Sequence, residues 1–391
     1  MAYVWQQPEW PHFHVDTSAV AGLVRRYKLL CSDASKVYGL LEKQAQRTTL
    51  IEWLVSEAIS TSAIEGESLN RKDVRSSILN HLGIHDPPLR VGDPRAEGVA
   101  ALVLDVRKNA NEILTPDLLF QWQSMIVQPR PYLKEPLTIG AFRQAARPMQ
   151  IISGPVGYEK VHYEAPPGAS VPGEIDTFLK WYNDSTPSVD VERETSGLVR
   201  AAVAHAWLEL IHPFDDGNGR VGRAVADHAL YQDLHSVPLF SLSTTIEANR
   251  ANYYQKLGSV NRSLDFTEWV VWFARCACEA QVSAQHLVAF ALAKTRFWDL
   301  HGESAFNQRQ TKAINRMFKA GPAGFEGGMT TRKYVNLTAT SRATATRDLV
   351  DLVDKGAFKS EGQGRSVSYL LQLPNSEPDL LEKMLSPKTL R

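Results

Sequence analysis

Twelve consecutive residues concentrate the groups that chemistry needs: His212-Pro213-Phe214-Asp215-Asp216-Gly217-Asn218-Gly219-Arg220-Val221-Gly222-Arg223. Gly217 and Gly219 let successive backbone N–H groups point into a concave anion site, and a helix beginning near Arg220 adds its positive N-terminal end. Arg220 and Arg223, three residues apart, share one helical face, where two guanidinium forks can grip separate phosphates of one nucleotide. A carboxylate beside a polyphosphate suits Mg²⁺, which takes few protein carboxylates and completes its shell with phosphate oxygens; Asp216 is the candidate. His212 remains as a general base. Each piece alone also fits a blander role, a capped helix with Arg–Asp salt bridges or a packed turn. Seven specified residues at about 5% usage each would coincide on the order of once in 10⁹ windows, which favours chemistry.

Two helices must hold this turn. Leu198, Val199, Ala202, Val203, Ala206, Trp207 and Leu210 form an apolar stripe that runs into His212, and helical periodicity resumes over Val221–Leu234. Upstream, the spacing predicts about three helices between Thr17 and Leu82. Further helices are expected over Ala96–Ala110, over Pro116–Gln128 with Thr115 as N-cap, and over Glu174–Tyr182. Ile151-Ile152 and Val161-His162-Tyr163 flank a glycine-rich turn and predict a β-hairpin. Arg250–Gly258 and Phe266–Phe297 read as helices. Phe306–Gln372 reads as three helices, Gln308–Lys319, Thr330–Leu337 and Ser341–Lys355, then two strands around Glu361-Gly362-Gln363-Gly364. That is the order of a winged helix, and eleven basic against five acidic residues leave it an excess of six positive charges. Ser341, Arg342, Thr344 and Arg347 would begin its recognition helix; DNA binding and a protein-contact role both fit.

The twelve-residue run resembles the signature of Fic domain proteins, HxFx(D/E)GNGRxxR, and matches every specified position. The resemblance, carried over roughly Leu137–Arg262, implies a mainly α fold: a Fic helical core with a β-hairpin flap. It implies ATP as donor of AMP and a protein hydroxyl as acceptor. By that resemblance His212 deprotonates the hydroxyl, Phe214 packs behind the loop, and Asp216 binds Mg²⁺. Gly217, Asn218, Gly219 and Arg220 form the cradle of the α and β phosphates, and Arg223 takes the γ phosphate. The implied step is in-line attack on the α phosphorus with pyrophosphate leaving, accelerated by positioning and charge neutralisation. The hairpin at 151–163 looks like the family's flap, which pins a target protein segment by strand addition, though an ordinary surface hairpin has the same pattern. Tyr253 and Tyr254 fall in a segment similar to one lining the adenine pocket in relatives; core packing suits either tyrosine as well. Thr61-Ser62-Ala63-Ile64-Glu65-Gly66 matches the family's inhibitory motif (S/T)xxxE(G/N). Glu65 would then pair with Arg223 and withhold it from the γ phosphate; otherwise it is a solvated carboxylate closing a helix.

Composition sets the frame around this site. The chain has 391 residues, 43% of them apolar and 22% charged, and 43 basic residues balance 43 acidic ones, so a multi-domain globular protein without a net field is expected. Cys31, Cys276 and Cys278 are too few and odd in number for a disulfide framework. No leader and no stretch of about 18 apolar residues occurs, so a cytoplasmic protein without a membrane partner is expected. The domains expected are 1–95, helical with the inhibitory helix; 96–300, the catalytic core; 301–373, the winged helix; and 374–391, a tail. The function expected is an adenylyltransferase autoinhibited by Glu65 that modifies a target protein and itself. Removal of AMP from a modified protein and a DNA-binding, nucleotide-sensing regulator are the alternatives, and a homodimer is left open.

Overall fold

The computed structural model describes residues 2–130, 136–144, 149–153, 160–186, 197–234, 239–302, 305–322, 324–362 and 366–374. The glycine-rich turn at 154–159, residues 363–365 of the second hairpin and nearly all of the expected tail lie outside them. The chain divides into two compact units, one of Met1–Ser35 with Leu50–Ser283 and one of Lys36–Thr49 with Ala284–Arg391.

Helices dominate, as expected: α1 Thr17–Gly39, α2 Lys43–Ile64, α3 Arg71–His81, α4 Pro94–Lys108, α5 Pro116–Ile126, α6 Val171–Asp184, α7 Gly197–Ile211, α8 Asn218–Leu234, α9 Leu242–Ala248, α10 Arg250–Ser259 and α11 Thr267–His301. Local chemistry accounts for their starts. Thr115 accepts a hydrogen bond from the Leu118 N–H and Pro116 takes the first position of α5, and Asp93 and Pro94 do the same for α4. In the first unit α7 and α8 pack against each other more extensively than any other helix pair. Every residue of α7 is buried, not only the predicted stripe, so Arg200, His205 and Glu209 are carried inside with it. The short α9 has no sequence signal strong enough to stand out.

The antiparallel pair β1 Gln150–Ser153 and β2 Lys160–Glu164 forms the expected hairpin, with a register shift between Ile151 and Ile152. Its base is tied down: Tyr163 is buried and its hydroxyl donates to the Leu210 carbonyl on α7. The N-terminal tryptophan run secures the same region, with Trp5 Nε1 donating to the Glu164 carbonyl and Trp10 Nε1 to the Glu174 carboxylate. Phe13 stacks on Phe266.

The second unit contains α12 Gln308–Phe318, α13 Thr331–Thr338, α14 Arg342–Asp354 and the antiparallel pair β3 Phe358–Glu361 and β4 Ser368–Leu371, in the predicted order. Phe297, Ile314, Met317, Tyr334, Leu349 and Phe358 lie in its core. Ser341 caps α14 by accepting from the Thr344 N–H, and Arg342, Thr346 and Arg347 on that helix are exposed.

Candidate active site

The catalytic candidate stands at the end of α7. His212 donates its backbone N–H to the Leu208 carbonyl, closing the helix, and then turns left-handed at φ 51°, where Pro213 cannot extend the helix. That conformation costs a non-glycine residue on the order of 1–2 kcal/mol and needs support from its surroundings. Arg143 supplies it. Its Nε donates to the His212 carbonyl at 2.7 Å, its Nη2 to the carbonyls of Pro166 and Ile211, and its own N–H to the Pro213 carbonyl at 2.9 Å. His212 Nδ1 lies 3.3 Å from the Glu209 carbonyl. A carbonyl only accepts, so Nδ1 carries the proton and Nε2 keeps its lone pair. Burial, helped by the charge of Arg143, pushes the His212 pKa down to about 4, against a hydrogen bond to Glu209 that raises it. The imidazole is therefore neutral at pH 7, the form a general base needs.

The turn that follows is braced from several sides. Phe214 is fully buried near Phe120 and Phe142. Asn218 accepts from the Phe214 N–H and donates to the Phe214 carbonyl, so its side chain fixes the turn. Gln123 of α5 accepts from the Gly140 N–H at 2.7 Å and donates to the Asp216 carbonyl at 3.2 Å. Gly217 has φ +92°, a conformation that side chains disfavour. At Gly219 a Cβ would collide with a carboxylate oxygen of Glu65. That carboxylate thus lies against the first turn of α8, where the helix end favours an anion.

Each ionic group of the motif has an internal partner. Arg223, 2% exposed, meets Glu65 at 2.8 Å, with Nη2 to Oε1. Its Nε donates to Thr61 Oγ1 and its Nη2 to the Thr61 carbonyl, both at 2.8 Å. Thr61 and Glu65 are the first and fifth residues of the motif read at the end of α2. Burial is the largest influence on Arg223 and lowers its pKa, but the charge and hydrogen bond of Glu65 together with the charges of Tyr253 and Glu209 outweigh it and hold the guanidinium above its ordinary value. Arg220 Nη1 meets Glu67 Oε2 at 3.1 Å, and Asp216 Oδ2 meets Arg130 Nη2 at 2.8 Å. Among the described residues no cluster of three or more His, Cys, Asp or Glu side chains is placed to hold a metal ion. A cation here would rest on Asp216 and on the oxygens of a bound phosphate, which suits Mg²⁺.

Tyr253 is buried, its hydroxyl 2.9 Å from His205 Nε2, whereas Tyr254 is 44% exposed and donates to the Ile64 carbonyl at the end of α2. The two rings are 5.0 Å apart, so Tyr253 backs Tyr254. Glu209, one turn before His212, is buried, and its pKa is pushed up to about 8 by burial and then by the charge of Glu65, against the pull of Arg223. Sequence reasoning passed over Glu67, Gln123, Arg130, Arg143 and Glu209. Only Glu67, an acid two residues beyond Glu65, carried any local signal.

Two family models match the chain: "Domain of unknown function (DUF4172)" over residues 3–84 and "Fic/DOC family" over residues 113–230. A probable protein adenylyltransferase of Aquifex aeolicus (strain VF5) is 33% identical over 86 residues, 20% of this chain and 25% of that protein. The protein adenylyltransferase fic-1 of Caenorhabditis elegans is 33% identical over 89 residues, 22% of this chain and 15% of its own. The chain thus spans a quarter or less of the curated relatives it matches. A crystal structure of a Fic family protein from Desulfovibrio desulfuricans G20 superposes with a TM-score of 0.53 at 18% identity, covering 94% of this chain and all of that one. The fold is that of a Fic protein, and residues 113–230 are the part that matches the Fic/DOC family model.

Proposed function

We propose that this Fic domain protein is a protein adenylyltransferase that moves AMP from ATP to a hydroxyl side chain of a target protein and of itself, restrained by Glu65. One observation carries the reading: a histidine whose Nδ1 is hydrogen-bonded to a carbonyl, which leaves the Nε2 lone pair for a proton, stands beside a braced anion cradle whose Arg223 is held by the carboxylate just beyond α2. In the reaction His212 Nε2 takes the proton of the incoming hydroxyl while Arg220 and the N–H groups of Gly217–Gly219 hold the phosphates. Arg223 binds the γ phosphate once Glu65 withdraws. Asp216 would hold Mg²⁺, which would supply neutralisation of phosphate charge. Tyr254, with its exposed ring and the Tyr253 ring behind it, offers a face for the adenine.

The exposed Ile151 and Val161 on the hairpin support docking of a target strand beside His212. The functional domains proposed are 1–95, with the inhibitory helix; 96–300, the catalytic core; 301–373; and the tail 374–391. The 301–373 segment is proposed to be a winged helix, and its basic excess and the exposed Arg342 and Arg347 support duplex DNA as its ligand. None of the described helices is long and apolar enough to cross a membrane, and a cytoplasmic site of action is part of the proposal.

ATP labelled at the α phosphate should leave label on the protein, and ATP labelled at the γ phosphate should leave none. Label from the γ position alone would replace AMP transfer with phosphorylation. Loss of α label from modified protein, without net gain, would favour AMP removal, with Glu65 orienting a water.

A further inference from the structure

The same chain segment that places Glu65 on Arg223 places a second carboxylate on the other phosphate-binding arginine. After α2, Gly66 turns left-handed at φ +82° and the Glu67 N–H donates to the Ser62 carbonyl at 3.0 Å, which folds the chain back over the end of its own helix. Glu67 Oε2 thereby reaches Arg220 Nη1 at 3.1 Å, with Arg220 only 5% exposed and Glu67 23%. The same Nη1 donates to the Ile126 carbonyl at 3.3 Å, Nη2 is 3.7 Å from Asp216 Oδ1, and Nε has no hydrogen-bond partner among the described residues. Arg220 is therefore held by a charged partner outside the Fic motif, as Arg223 is.

The two pairs differ in position. Arg220 lies in the first turn of α8, at the corner it shares with the cation candidate Asp216, and Arg223 lies one turn deeper. On the proposed nucleotide reading, the first corner serves the phosphates that ADP and ATP have in common, and Arg223 serves the γ phosphate.

We propose that Glu67 is a second restraining carboxylate, one that sets the affinity of the site for the diphosphate portion shared by ADP and ATP. A carboxylate at 3.1 Å occupies a guanidinium fork that a phosphate needs and also repels the incoming phosphate across a partly buried site. Glu65 then governs preference for the triphosphate, and Glu67 governs affinity for either nucleotide. This inference rests on the proposed nucleotide site.

The test is calorimetric titration of the full chain with ADP and with ATP in the presence of Mg²⁺, in a His212→Ala background so that transfer does not consume ATP. Glu67→Gln should tighten ADP and ATP alike, by about three- to tenfold, the scale of one partly exposed ion pair. Glu65→Gly should raise affinity for ATP more than for ADP. Glu67→Ser repeats the test without an amide that could still accept from Arg220, and an unchanged thermal midpoint certifies each fold. Unchanged affinity in both Glu67 variants overturns the inference alone. Weaker binding in both overturns it too, by making Glu67 a support that aims Arg220. If no variant binds either nucleotide, the proposed function falls and this inference with it.

Discussion

Replacing Glu65 by glycine should turn a restrained site into an open one. In the structure the guanidinium of Arg223 has three anchors, the Glu65 carboxylate, Thr61 Oγ1 and the Thr61 carbonyl, each at 2.8 Å. Removing Glu65 leaves two, so Arg223 stays aimed at the cradle while its charge becomes available. Gross attraction between unit charges about 4 Å apart is roughly 4 kcal/mol at an effective dielectric near 20. Glu65 is 31% exposed, so solvent screening and desolvation reduce the net value to about 1.5–3 kcal/mol. That corresponds to roughly ten- to 150-fold in occupancy of the productive nucleotide pose. The assay is AMP incorporation from α-labelled ATP under single-turnover conditions, with ATP affinity measured in parallel. Glu65→Gly combined with Arg223→Ala should lose most of the gain, because there is no guanidinium left to free. A Glu65→Gly protein that transfers AMP no faster than wild type, or more slowly, would refute the argument.

Other expectations follow from the same geometry. With His212 pushed down to about 4, the acid limb of the pH–rate profile should fall near pH 4 to 5; at pH 5.5 about tenfold more imidazole is neutral than at the ordinary histidine pKa of about 6.5, and a limb near 6.5 would show that His212 is not the base in its buried form. Glu209, pushed up to about 8, is protonated in the fold and ionised in the unfolded chain between about pH 4.5 and 8, so it costs stability as pH rises through that window. Glu209→Gln removes this cost, and its thermal midpoint relative to wild type should rise from pH 5 to pH 8; a constant difference would contradict the assigned protonation. For the second unit, Arg342→Ala with Arg347→Ala should weaken binding to duplex DNA at least tenfold and flatten its salt dependence; no binding by the unaltered chain would leave α14 as a protein contact.

What the sequence disclosed and what it hid divide along a physical line. The His212–Arg223 run and the Thr61–Glu65 motif are legible because their groups are neighbours in the chain, and helix periodicity with its caps located most elements within a few residues. Arg143 supports His212 from 69 residues away, and Gln123 reaches Asp216 from 93. Only packing brings such groups together, and an arginine or glutamine destined for the interior looks in sequence like one bound for the surface. The left-handed turn of His212 has no signature beyond the proline after it. Glu209 reads as one polar residue on an apolar helix, and its burial follows from α8 covering a face the periodicity left open. Tyr253 and Tyr254 are adjacent and chemically alike, yet one is buried on His205 and the other partly exposed at the end of α2. The helix α9 is too short for periodicity to register.

The central claim, that His212 drives transfer of AMP from this cradle, meets its most direct test in intact-mass analysis of two proteins after incubation with ATP and Mg²⁺. Glu65→Gly should gain the mass of AMP, and Glu65→Gly with His212→Ala should gain nothing while still binding ATP. Equal gain in both proteins would remove His212 from the mechanism, and no gain in either would contradict AMP transfer as the reaction.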